Sequence, residues 1–185
     1  MTRTSLIAIA TLLCATPAFG AHWNVDASKS RLGFTVQWSG EPFTATFKSW
    51  KADIDFDPAD LAHSRVMATI DLGSEGSDTP DNDDGLKGPQ GFSISQFPTA
   101  RFETSSFKHG SGNSYTAIGT LSLHGVTKPV TLPFTLLISG DTAHVTGRAQ
   151  VLRTDFGLGQ GEWAAPSPIA HEVAINVDLT ATKAR

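Results

Sequence analysis

From Ser114 to Lys183 apolar and polar side chains alternate almost without a break. Tyr115, Ala117, Gly119, Leu121 and Leu123 share one face, with Thr116, Thr120, Ser122 and His124 on the other. Beyond a Gly125–Thr127 turn, Val130, Leu132, Phe134, Leu136 and Ile138 continue the pattern. Ser139–Asp141 interrupts it, Ala143, Val145, Gly147, Ala149 and Val151 resume it, and Val173, Ile175, Val177 and Leu179 close it. A period of two over such lengths predicts antiparallel strands with one dry face and one wet face. Strands of this kind in succession need a closed or double-layered sheet to bury the dry face.

The first half follows the same rule with more interruptions. A short strand at His22–Asp26 leads into one in which Leu32, Phe34, Val36 and Trp38 share a face. After a turn at Ser39–Pro42, Phe43, Ala45 and Phe47 face one way, while Ala52, Ile54 and Phe56 fall on the opposite parity. That switch predicts a bulge or bend between Lys48 and Lys51, the device that curls a sheet into a barrel. Asp57–Leu61 reads as a turn capped by Asp57, with Pro58 at the first helical position. Val66–Leu72 and Thr99–Phe107 are further strands. Gly73–Gly91 is irregular, with a short helix around Asp81–Lys87. The sum is about eight strands and little helix, an all-β barrel or sandwich.

The first 20 residues read as a signal peptide: Arg3, a short apolar run from Leu6 to Ala15, then Ala18-Phe19-Gly20 before a cut ahead of Ala21. Residues 21–185 then form one domain, expected in the periplasm. The single cysteine, Cys14, leaves with the leader, which excludes a disulfide or thiolate site in the remainder. The net charge of the whole chain is −4, and losing Arg3 makes it more acidic. Nucleic acid, which selects basic faces, is therefore excluded as a partner.

Candidate chemistry is sparse. The six histidines form no His-x-His or His-x-x-x-His pair, and His124 and His144 take polar strand positions, so they read as surface residues. Asp78–Gly85 looks like a calcium loop, but the frame with Gly85 sixth puts Pro80 first and Gly91 twelfth, where carboxylates are required. It reads as a solvated acidic loop. Gly157-Leu158-Gly159-Gln160-Gly161 opens no helix and so is not a phosphate-binding turn; its glycines suit tight turns near a barrel mouth. No serine occupies a nucleophile elbow. What stands out is aromatic excess. Strand parity points Phe34, Val36, Trp38, Phe43, Phe47, Phe102 and Phe134 inward, and loop position adds Phe156 and Trp163. An eight-stranded barrel either fills its interior or encloses one small ligand. Arg153, with Asp155 and Gln160 beside it, either orients a ligand head group or, for Arg153, pairs with a nearby carboxylate.

Several segments, in order, resemble the YceI-like family of polyisoprenoid-binding periplasmic proteins. They are WNVDASKSRLGFTVQWSGEPFTATFKSWKADIDFDPADLAHS with Trp23, Asp26 and Ser30, FPTARFET at 97–104, GTLSLHGVTKPVTLPF at 119–134 and RTDFGLGQGEW at 153–163. Gly91-Phe92-Ser93 departs from the pattern, lacking one aromatic and one acid. The resemblance implies an extended antiparallel eight-stranded lipocalin-like β-barrel with one or two short helical turns. It implies a carrier or storage protein holding a polyisoprenoid, a quinone-like lipid or a similar amphiphile in an apolar tunnel, with no cofactor required and no catalysis. It also implies an inner-membrane b-type cytochrome as partner, and admits a homodimer. Two alternatives stay open: a non-catalytic envelope stress or cytochrome-partner protein, and an enzyme acting on an exported small molecule.

Overall fold

The computed structural model describes residues 21–77 and 79–184; the expected leader and Asp78 lie outside them. The strands are β1 (His22–Val25), β2 (Arg31–Trp38), β3 (Glu41–Phe47), β4 (Trp50–Asp55), β5 (Arg65–Asp71) and β6 (Glu75–Gly76). One helix, α1 (Pro80–Lys87), follows. Then come β7 (Thr99–His109), β8 (Ser114–Leu123), β9 (Val126–Ser139), β10 (Thr142–Leu152) and β11 (Ile169–Lys183). All pairings are antiparallel. The order β1-β4-β5-β7-β8-β9-β10-β11 closes on itself through β1–β11, giving the expected eight-stranded all-β barrel.

A crease crosses the wall and accounts for the remaining strands. β1 and β2 are one bent strand broken at Ala27–Lys29, where Asp26 accepts from the Ser28 amide and Ser30 Oγ bonds Asp26 O. The amide of Thr180 on β11 donates to Ser30 Oγ across the break. Beside it lies the β3–β4 break at Lys48–Ser49, at the predicted parity switch, and beside that the turn at Leu72–Ser74. Ser74 stitches the last two together, accepting from the Ser49 amide. Below the crease β1, β4 and β5 complete the ring. Above it β2 pairs with β11, and β3 and β6 follow outward from β2. Among the described residues β6 pairs with β3 alone, and α1 with the segment to Phe97 follows between β6 and β7.

Two apolar clusters fill the barrel, one above the crease and one below. Phe34, Phe43, Leu86, Phe92, Phe156 and their neighbours form the upper cluster, and Trp23, Phe56, Phe107, Tyr115 and Leu179 the lower. Trp50, Phe102 and Leu132 touch both, so they form a waist. Trp23, one of the residues carrying the family resemblance, is buried and donates its indole N–H to Phe56 O. Asp57 caps the next turn through the Ala59 amide, without a helix following.

The short helix expected around Asp81–Lys87 is present, and the reading of this stretch as solvated is corrected at Asp83. Pro80–Lys87 is helical, and Asp83 is buried, accepting from the amide and hydroxyl of Ser77. His124 is not a strand residue either. It takes a positive φ of 52° in the turn after β8, half-buried against Phe97.

Candidate functional site

The interior holds two separate apolar cavities in place of one tunnel. The upper has a volume of about 140 Å³ and the lower about 110 Å³, and they share no lining residue. An apolar cavity of about 150 Å³ stays dry and takes benzene, so each accommodates roughly a six-carbon apolar group as it stands. Of the ten residues expected to meet a ligand, Phe34, Val36, Phe47, Arg153, Phe156 and Trp163 border the upper cavity. Phe102 and Phe134 border the lower. Trp38 and Phe43 border neither. Phe43 packs behind Phe34, and Trp38 turns toward Phe43 and Trp163, with ring centroids 6.2, 5.2 and 5.8 Å apart along that chain.

Upper-cavity rings meet edge to face or tilted: Phe34, Phe47 and Phe92 lie about 6 Å from one another, the spacing aromatic quadrupoles prefer. Sequence reasoning missed the far wall, where Leu72, Leu86 and Phe92 come from the turn and helix segment. The acidic composition around α1 hid them; the pair Leu86 and Phe92 within a polar stretch was the available signal. Gly91, where the family resemblance breaks, has no room for a side chain. A Cβ there would collide with the Leu86 carbonyl.

Arg153 borders the upper cavity, and its expected pairing with a carboxylate is replaced by bonds to the backbone. Its guanidinium is buried and donates to six backbone carbonyls, those of Leu158, Gly159, Trp163, Ala165, Ile169 and Ala170. No carboxylate pairs with it among the described residues, and burial pushes its pKa down. The cation is the hub on which residues 153–170 wind, with Gly157, Gly159 and Gly161 at φ of 70°, 74° and 65° supplying the turns. That loop covers the upper end of the barrel. The Gly159 amide bonds Gln90 O at 2.8 Å, and Trp163 lies against Gly85. Asp155 and Gln160 stay exposed outside.

Among the described residues Arg153 is the one ionisable residue bordering either cavity. The rest of both linings is almost wholly apolar, so what they present to a guest is surface that favours burial of hydrocarbon. Elsewhere His22, Asp53 and Asp55 come together, with ligand-type atoms within 4.8 Å. Their separation in sequence hid this. Arg65 takes Asp55 Oδ2 at 2.7 Å and His22 takes Oδ1 at 2.9 Å. The His22 hydrogen bond and then Arg65 hold Asp55 below the usual carboxylate range against its burial. The group is an ion-pair network.

A profile of the YceI-like domain matches residues 23–181. The chain belongs to the YceI-like family. A UPF0312 protein of Photorhabdus laumondii is 32% identical over 142 residues, 75% of this chain and 73% of that one. Among solved structures, Burkholderia cenocepacia BcnA superposes with a TM-score of 0.83 at 32% identity, covering 86% of this chain and all of that one. A domain from Saccharophagus degradans described as polyisoprenoid-binding superposes with a TM-score of 0.67 at 17% identity, covering 89% and 99%; that likeness concerns the fold. Family membership explains the motif residues physically: Trp23, Asp26 and Ser30 build the crease and the barrel closure, and the Arg-x-Asp-Phe-Gly segment builds the end cover.

Proposed function

We propose that this protein binds a polyisoprenoid chain, or an amphiphile of similar length, inside the barrel, and carries or stores it in the periplasm after export. One observation carries the reading: one barrel encloses two apolar cavities, and Phe102 and Leu132, which border the lower one, also pack against the upper cluster. Each isoprene unit brings five carbons, and burial is worth ~0.8 kcal/mol per CH₂. A chain reaching from one cavity into the other therefore gains on the order of 10 kcal/mol gross, reduced by its own ordering. Passage requires Phe102, Trp50 and Leu132 to change rotamer, so binding is coupled to opening the waist. The fold shared with a polyisoprenoid-binding domain supports the ligand class. A quinone ring is the proposed head, and an inner-membrane b-type cytochrome the proposed recipient.

The test is mass spectrometry of an organic extract of the protein purified from its own host, with re-feeding of the stripped protein. Recovery of a prenyl lipid, and its uptake on re-feeding, is expected. Repeated empty extracts together with no uptake would end the proposal.

A further inference from the structure

The barrel wall is unzipped above the crease between β9 and β10. Their ladder runs from Ser139 opposite Thr142 to Phe134 opposite Gly147, and stops. Yet β9 continues to Val126 against β8, and β10 to Leu152 against β11. The sequence enforces the split. The Leu136 amide donates toward β8, to Asn113 O, so alternation turns positions 129, 131 and 133 of β9 toward β10. Two of these are Pro129 and Pro133, which have no N–H to give. Gly147 stands at the fork, where a Cβ would lie 3.1 Å from both Phe134 Cβ and Pro133 O.

Between the parted strands lies a cleft of about 220 Å³. Its rim is exposed and polar, formed by Lys128, Gln150, Asp155 and Glu172. Val151 and Phe156 lie at its base and also border the upper cavity, so these two side chains are the partition between cleft and interior. Lys128 has the inward parity of Val130 and sits opposite buried Leu121, yet it is exposed, because the wall beside it is open. The other break in the ladder above the crease lies between β6 and β7, the segment that carries α1, and the barrel end is covered by the Gln90–Gly159 contact.

We propose that this seam is the ligand's lateral portal and its head-group site. The tail passes Val151 and Phe156 into the upper cavity, and the head stays among the rim side chains. Two acids against one lysine select an uncharged hydrogen-bonding head, a prenyl alcohol or quinone ring, over a phosphate or diphosphate. The proposal rests on the reading of the cavities as a lipid site.

Stopped-flow tryptophan fluorescence reads it, since Trp163 borders the upper cavity. The probes are geranylgeraniol and geranylgeranyl diphosphate. Pro129→Val/Pro133→Val restores the N–H groups facing β10 and should slow geranylgeraniol entry about tenfold or more. An unchanged rate in a folded variant overturns the portal and leaves the cavity reading standing. Asp155→Asn/Glu172→Gln alters exposed residues only. Wild type should favour the alcohol by about tenfold and this variant by about threefold or less. The same preference in both proteins overturns the head-group assignment, whatever the proline variant does. Absence of any signal with the wild-type protein defeats the cavity reading and the portal together.

Discussion

Replacing Arg153 with methionine keeps the length of the side chain and removes every donor. Leu158, Gly159 and Ile169 are buried, so water does not readily replace the guanidinium at their carbonyls. Each buried acceptor left unpaired costs about 1–3 kcal/mol, and the carbonyls of Trp163, Ala165 and Ala170, nearer the surface, cost less. Against this, the variant no longer desolvates a cation, a relief of several kcal/mol. The net expectation is a loss of about 2–4 kcal/mol in urea unfolding with an unchanged denaturant slope. Limited proteolysis should place the first cut within residues 154–168, because the loop has lost its hub. Arg148→Met is the control, since Arg148 is exposed on β10. A loss under about 0.5 kcal/mol, equal to that of the control, would refute the reasoning.

Glu75 is buried, with neither carboxylate oxygen bonded among the described residues, and burial followed by the charge of Asp83 pushes it up to about 7. Its folded pKa exceeds the unfolded value, so stability falls as pH rises from about 4.5 to about 7. Glu75→Gln should match wild type near pH 5 and exceed it by up to about 3 kcal/mol at pH 8; equal melting temperatures at pH 8 would contradict this. Phe102→Ala removes part of the waist. It should cost about 3 kcal/mol while shifting preference toward C20 over C10 prenyl alcohols in competition, and an unchanged ratio would count against a waist. Gly119 faces the Glu103 carbonyl so closely that a Cβ would collide with it. Gly119→Ala should therefore cost more than about 2 kcal/mol, against about 1 kcal/mol for Gly112→Ala, where φ is +58° in open space; thermal melts separate the two.

The strands from Tyr115 to Leu179 were legible because alternation is a local property, and most of the inward residues it picked line or back the cavities, whereas Ile138, at the end of β9, is exposed. The bend at Lys48–Ser49 was legible for the same reason, as a change of parity. Partner choice was not. Nothing local in His22–Val25 indicates that it pairs with β11, and Asp26 and Ser30 give no sign of making a crease until Thr180 lies beside them. The aromatic residues suggested a single hollow. Its division into two goes with Trp50, Phe102 and Leu132 packing against both clusters, a placement no periodicity reports. Arg153 was ambiguous because a buried cation is expected to seek a carboxylate; winding a loop of carbonyls around it is a solution visible only in three dimensions. Pro129 and Pro133 were the legible sign of the seam, being prolines inside an otherwise regular strand.

The ring closes where Trp23–Val25 register against Ala181–Lys183. That last pairing joins segments from opposite ends of the domain, the most costly kind of loop to form early. A chain made from its amino terminus can pair β1 with β4 early, but the other edge of β1 waits for the final strand. Postponed closure leaves the wall open until the chain is complete, and makes the joining of its two edges the last step of folding.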